Sequence, residues 1–290
     1  MNESETSLST LRWSTQSTRD TEQSVILPKI VRTFEEYAKV DFAIGDNDPV
    51  YFAVYRAREV WGIEWATRFC VGMLTYYHMG TAVKAAEYEG AAFWDYLEEQ
   101  YATAPRGAAR RHFRGTNGWN GFHSMKKFAP NPDRFFDNMP TVYLGIKDTC
   151  QEKLAQFGPY FWLKIADYQD RCLGEEIDYD GLQYNLSTVP AKATQILYPK
   201  FSIPEAFELA CRRLYNQGLL APPTYERLIG PAEVETILCD WLHAKQGTNW
   251  LGADLITKRA ALAGYGDKAA QMALWLPPVV EKGTFTCELV

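Results

Sequence analysis

The glycine–proline step at Gly158-Pro159, set between two apolar helical stripes, constrains this chain more than any other feature. Upstream, Leu154 and Phe157 fall on one face while Gln151, Glu152, Lys153 and Gln156 turn to water. Downstream, Trp162, Ile165 and Ala166 recur at helical spacing. Glycine permits the left-handed backbone that ends a helix. Proline suits the first turn of the next, because its missing N–H would be unpaired there anyway. The pattern predicts a helical hairpin over residues 149–166 that turns at Gly158-Pro159. Free amides at the start of its second helix can hold a phosphate. An ordinary core helix–turn–helix would show the same pattern.

Helical periodicity continues through the chain, and strand alternation is nearly absent. Ile30, Val31, Phe34, Tyr37 and Ala38 recur at helix spacing. Asp46-Asn47-Asp48-Pro49 reads as a helix start, with an aspartate cap and a proline in the first turn. The helix that follows carries Tyr51, Phe52, Tyr55, Trp61, Trp65 and Phe69, most of them core. Gly115, Gly118, Gly121, Pro130 and Pro132 make a loop of the stretch they punctuate. Later helices are expected from Pro204 with a Ser202/Glu205 cap, from Pro231, and from about Gly252. The sum is an all-α fold. Residues 27–290 form one helical domain, its two halves flanking a cleft near residues 145–180, behind a polar tail at residues 1–26 expected to be mobile.

Composition narrows the function. No apolar run approaches the ~20 residues of a membrane helix, and MNESETSLST has no apolar signal core, so a cytoplasmic protein without membrane partners is expected. Six scattered cysteines without C-x-x-C, and four histidines without H-x-x-x-H, argue against a disulfide frame or a metal site. Neither a P-loop nor G-x-G-x-x-G occurs, so no nucleotide cofactor is expected. The net charge of −6 disfavours nucleic acid until its distribution is read. Residues 106–134 hold Arg106, Arg110, Arg111, Arg114, Lys126, Lys127 and Arg134 against Asp133 alone, a local +6 that leaves −12 for the rest. Trp119, Phe122 and Phe128 interleave with these cations, which suits a phosphate chain bearing an unstacked base. A solvated basic loop would read the same way.

The hairpin resembles the helix-hairpin-helix element of the DNA glycosylase superfamily, L-x-x-L-x-G-V-G-P-x-T-A, through Leu154, Phe157, Gly158, Pro159 and Ala166. The motif's first glycine is Gln156 here. In that superfamily the essential aspartate follows the hairpin glycine by about twenty residues, and Ile177-Asp178 lies at that offset from Gly158. Tyr160 stands where lyase-type members carry lysine, so a lysine-mediated lyase reaction is not expected. YFAVYRAREVWG, HFRGTNGW, GPYFWLKIADYQDR and VETILCDWLHAKQG with GADLITKR together resemble a glycosylase-related clade, over roughly residues 30–275. These are the phage α-glutamyl/putrescinyl-thymine pyrophosphorylase-like proteins, or amino acid:DNA transferases. The resemblance implies double-stranded DNA carrying pyrophosphorylated 5-hydroxymethyluracil as substrate. A free amino acid, such as glycine, or a polyamine would displace pyrophosphate and leave a hypermodified thymine. It implies no cofactor, the host-cell cytoplasm, and a 5-hydroxymethyluracil DNA kinase as a further partner.

That chemistry assigns roles by residue type. An attacking amine must lose a proton to a carboxylate, for which Asp178, Asp167 and Asp170 are the candidates, with Asp240 and Asp254 next. Lys164, Asp167 and Asp170 share a helix face, as a plain salt-bridge ladder also would. Fixed cations stabilise a leaving pyrophosphate, which points to Arg56, Arg111 and Arg114, with Lys164, and to Tyr55 beside Arg56. Arg171 or Lys245 would pair with an amino acid's own carboxylate. Gly158, Pro159, Trp119, Lys126 and Lys127 are the DNA-binding candidates. Two rivals use the same residues: a monofunctional DNA glycosylase with water as nucleophile at Asp178, and a non-catalytic DNA-binding protein.

Overall fold

The apolar stripes resolve into thirteen α-helices in the computed structural model, which describes residues 27–289. The tail expected at residues 1–26 lies outside the described residues. The order is α1 (Phe34–Ile44), α2 (Val50–Trp61), α3 (Ile63–Tyr76), α4 (Met79–Ala86), α5 (Gly90–Glu99), α6 (Gly115–Phe128), α7 (Tyr143–Lys153) and α8 (Pro159–Asp167). A π-helical turn, Tyr168–Leu173, prolongs α8. Then come α9 (Thr188–Leu197), α10 (Ile203–Tyr215), α11 (Pro231–Lys245), α12 (Ala253–Leu262) and α13 (Asp267–Trp275). A two-residue strand β1 (Ile30–Val31) pairs in parallel with β2 (Thr286–Cys287). The fold is all-α, as expected.

Helix α3 is the axis of the core. Ala66, Phe69, Cys70, Val71, Met73 and Leu74 are fully buried on it. Gly72 lets α4 approach: a Cβ there would stand 3.0 Å from the Ala82 Cα. Buried apolar side chains from Val31 to Val280 form one contiguous cluster. Local signals set several helix starts. Thr33 and Glu36 make a capping box on α1, and Ser202 and Glu205 make the expected one on α10.

Three local readings are corrected. Residues 115–128 are helix α6, not a loop. A Cβ on Gly118 or Gly121 would come within 2.5 Å of Phe113, so these glycines permit close packing and do not make a turn. Asp46 does not cap α2; its carboxylate accepts the Gly252 and Leu255 amides at 2.7 and 3.0 Å and caps α12. The hairpin turns at Gly158-Pro159 as predicted, but its left-handed residue is Gln156 (φ 65°). Gly158 itself is extended (φ −98°, ψ −172°). Gln156 thus takes a left-handed backbone conformation that glycine would adopt without strain.

Candidate active site

The inward face of α8 carries Lys164, 2% exposed, and Asp167, 0% exposed, one turn apart. The Lys164 ammonium donates to Asp48 Oδ2 at 2.5 Å, to Asp167 Oδ2 at 3.1 Å and to the Tyr51 hydroxyl at 3.0 Å. Tyr51 in turn donates to Asp167 Oδ2 at 2.8 Å. Asp48 stands just before α2 with a left-handed backbone (φ 51°), which aspartate tolerates better than most residues. Four groups from two chain segments, residues 48–51 and 164–167, therefore meet in the interior, where a charge persists only if paired.

Their environments pull these groups apart. Burial opposes the charge on Lys164, but Asp48 and Asp167 outweigh it and hold the ammonium well above its ordinary range. Burial also opposes the charge on Asp48, yet Lys164, Arg171 and Lys258 keep that carboxyl below the usual range. At Asp167 burial prevails over Lys164 and Arg171, and the carboxyl is pushed up. Asp167 Oδ1 is buried with no hydrogen-bond partner among the described residues. Two neighbouring carboxylates with opposite shifts are what a division into base and electrostatic anchor requires.

The π turn sets the next layer. Its extra residue per turn carries Asp170 away from Lys164 into a second network. Asp170 Oδ2 accepts from Arg227 at 2.8 Å and from the Tyr179 hydroxyl at 3.3 Å, and Arg227 also holds Glu233 at 2.9 Å. Buried Arg171 lies 4.1 Å over the Tyr51 ring, donates to the Pro222 carbonyl at 3.2 Å and faces Glu233 at 3.6 Å. On the other side Tyr160 donates to the Tyr77 hydroxyl at 2.6 Å, and Lys258 lies 4.8 Å over the Tyr77 ring. Lys164 is 5.6 Å from the ring of Tyr160.

The remaining predicted residues stand elsewhere. Asp178 is exposed, in a parallel bridge to Val142, and its Oδ1 accepts the Asp180 amide at 2.9 Å. It lines an open groove of about 840 Å³ with Tyr179, Phe207, Glu208 and Arg212, and the Tyr179 hydroxyl donates to Asp170. Arg56 is exposed and paired with Glu59 at 2.5 Å, next to half-buried Tyr55. Lys245 donates to the Leu289 carbonyl at 3.0 Å. Gly158 faces open space at the hairpin tip: a Cβ there would meet nothing within 4 Å.

The basic island is partly engaged in the fold. Arg106 donates to the carbonyls of Tyr101, Ala104 and Phe113. Arg110 is buried between Phe113, Phe157 and Phe161, and burial pulls its guanidinium down to about 9. Its bonds to the Leu74 and Gln156 carbonyls pin the hairpin turn to α3. Lys126 is held by Asp95 and Glu98, and Arg134 by Asp137. Arg111, Arg114 and Lys127 are exposed without an acidic partner among the described residues. Trp119 is half-buried on α6 against Tyr101, Phe122 and His123.

Sequence reasoning missed Asp48, Tyr51, Tyr77, Arg227, Glu233 and Lys258 as site residues. One signal was present: the Asp-Asn-Asp-Pro stretch holds one aspartate more than a cap needs. The others sit at ordinary helical or loop positions, and only the fold brings them together. Among the described residues no His, Cys, Asp and Glu side chains group as a metal site would need, and no helix is long and apolar enough to cross a membrane.

The chain is 31% identical over 252 residues to the putrescinyltransferase of Delftia phage PhiW-14, covering 83% of this chain and 81% of the relative. It is 26% identical over 264 residues to the glycinyltransferase of Pseudomonas phage PaMx11, covering 79% of this chain and 89% of the relative. No protein-family profile matches it.

Proposed function

Since the chain belongs to the phage family of the putrescinyl- and glycinyltransferases and is a DNA-modifying amine transferase, we propose that it displaces pyrophosphate from 5-(pyrophosphoryloxymethyl)uracil in DNA. The observation that carries this reading is the buried Lys164–Asp48–Asp167–Tyr51 cluster on the helical hairpin. A target carbon inside a duplex is reached by turning the base out of the stack. The neutral amine attacks the methylene carbon, a C–N bond forms, and the C–O bond breaks with its electron pair leaving on pyrophosphate. The proton shed by nitrogen goes to a carboxylate.

We assign that carboxylate to Asp167. Its upward shift improves it as a base near neutral pH, and its Oδ1 is free to accept a proton. Asp48 stays ionised and holds Lys164 in place. Lys164 remains an ammonium, so it orients the carboxylates and forms no Schiff base. Arg111, Arg114 and Lys127 supply phosphate contacts from the protein surface. Gly158-Pro159 offers its open tip to the backbone of the DNA, as the hairpin of the glycosylase superfamily would.

Mass spectrometry of nucleosides tests the reading. Duplex DNA carrying the pyrophosphorylated base is incubated with the protein and pooled amines. The expected product is a heavier thymidine-type nucleoside with its base retained. Release of free base would make the protein a glycosylase, and an unchanged nucleoside would remove the activity.

A further inference from the structure

Pyrophosphate that departs beside Asp167 needs a cation there, and the cations of the cluster are already engaged. Lys164 is held by Asp48 and Asp167, Arg171 faces Glu233, and Arg227 is held by Asp170 and Glu233. Arg56, expected for this task from the sequence, is exposed and paired with Glu59. Lys258, in the GADLITKR stretch, differs. Among the described residues no carboxylate oxygen lies within 4.0 Å of its ammonium, and no hydrogen bond occupies it. Burial opposes its charge, but Tyr77, Asp254 and Asp48 outweigh burial, so the group stays an ammonium.

The Asp46-Asn47-Asp48 turn ties Lys258 to the cluster. Asp46 accepts the Gly252 and Leu255 amides at the start of α12, and two residues later Asp48 holds Lys164. In the second turn of α12, Lys258 Nζ lies 4.8 Å over the Tyr77 ring. Tyr77 ends α3 with a left-handed backbone (φ 53°), a conformation uncommon for so bulky a residue and kept only where the surroundings fix it. Its hydroxyl accepts from Tyr160 at 2.6 Å, so its own proton has no acceptor among the described residues. The Tyr160 ring is in turn 5.6 Å from Lys164 Nζ. Lys258, Tyr77 and Tyr160 are half-buried while Lys164 and Asp167 are buried, so solvent reaches the edge of the cluster on this side. Two donors without acceptors, an ammonium and a hydroxyl, thus meet at one ring. They suit an anion with several oxygens. A diphosphate carried on an extruded base can enter a half-buried site, whereas the backbone of the duplex stays outside.

We propose that the Lys258 ammonium, with the Tyr77 hydroxyl beside it, receives the departing pyrophosphate, which makes Lys258 a catalytic residue of the transfer. This rests on the amine-transfer reading above. As nitrogen bonds to the methylene carbon, the C–O bond breaks and its electron pair leaves on the diphosphate oxygen. Lys258 donates hydrogen bonds to that growing charge and keeps its own proton, and the proton shed by nitrogen still goes to Asp167.

The test compares wild type, Lys258→Met and Lys258→Arg on duplex DNA carrying the pyrophosphorylated base. In single turnover at saturating amine, Lys258→Met should release pyrophosphate about 10²–10³-fold more slowly, the worth of one donor to a developing anion. Lys258→Arg should recover part of that rate because it keeps the charge. Inorganic pyrophosphate should inhibit Lys258→Met about tenfold more weakly, having lost a charge-assisted contact. It should also bind the free variant more weakly in calorimetry, a measurement that does not depend on turnover. KM for the amine and affinity for DNA should stay within about twofold, since the lost contact belongs to the leaving group. A raised KM for glycine with unchanged inhibition by pyrophosphate would assign Lys258 to the amine's carboxylate and overturn the inference. So would a weaker DNA affinity with a flatter salt slope, or release at the wild-type rate. No pyrophosphate release by the wild type would overturn the transfer reading itself, and this inference with it.

Discussion

Replacing Lys164 with methionine should unbalance the buried cluster without changing its packing volume much. The change removes the ammonium and its contacts to Asp48 at 2.5 Å, Asp167 at 3.1 Å and Tyr51 at 3.0 Å. It strands two carboxylates whose side chains are 7% and 0% exposed. Removing one partner of a buried pair costs about 3–5 kcal/mol. At roughly 2 °C per kcal/mol for a chain of this size, the midpoint should fall by about 6–10 °C at pH 8. The sign with pH follows from Asp48. Its carboxyl is held below the usual range, so in the wild type its stabilising share is present above pH ~4 and lost as pH falls through the folded value. In Lys164→Met burial acts with fewer opposing cations, the carboxyls protonate more readily, and the deficit should shrink toward pH 5. Thermal unfolding followed by circular dichroism at both pH values measures this. Adding Asp48→Asn and Asp167→Asn should restore most of the loss while leaving the protein inactive. A Lys164→Met protein melting within about 1 °C of wild type at pH 8 would refute the reasoning.

Two further outcomes are expected. Arg111→Ala with Arg114→Ala should flatten the log–log salt dependence of DNA binding by roughly one to two units, whereas Lys126→Ala, whose amine is already held by Asp95 and Glu98, should change the slope less; equal slopes for all proteins would mean the island is solvated surface. Burial pushes Glu235 up to about 7, so its stabilising share is present below pH ~4.5 and lost as pH rises to 7. Glu235→Gln should therefore be more stable than wild type by about 1–3 kcal/mol at pH 8 and equal to it near pH 4.5, and a difference in urea unfolding that ignores pH would contradict this.

The all-α class and the hairpin were legible because both rest on local periodicity and on one Gly-Pro step. Lys164 and Asp167 were legible as a helical face, but their third partner was not. Asp48 lies 116 residues from Lys164, and no spacing rule connects them. Asp170 was misplaced with that face because a π turn cannot be read from a run such as DYQDRCL. Glycine density misled at Gly118 and Gly121, where the missing side chain makes room for Phe113 within a helix. Charge counting overstated the basic island for a related reason: Arg110 is an interior clamp on the Gln156 carbonyl, which a tally of cations cannot distinguish from a surface arginine.

Single-turnover release of pyrophosphate, measured beside DNA affinity at saturating amine, tests most directly whether the buried cluster is the reacting centre. Asp167→Asn should slow release by about 10²–10⁴-fold, the worth of a general base. DNA affinity should stay within a few-fold, since a carboxylate repels phosphate and contributes nothing to binding. Asp178→Asn, whose carboxylate is exposed and bonded to the Asp180 amide, should stay near the wild-type rate. A near-normal rate for Asp167→Asn with a collapsed rate for Asp178→Asn would contradict the account and move the base to the groove.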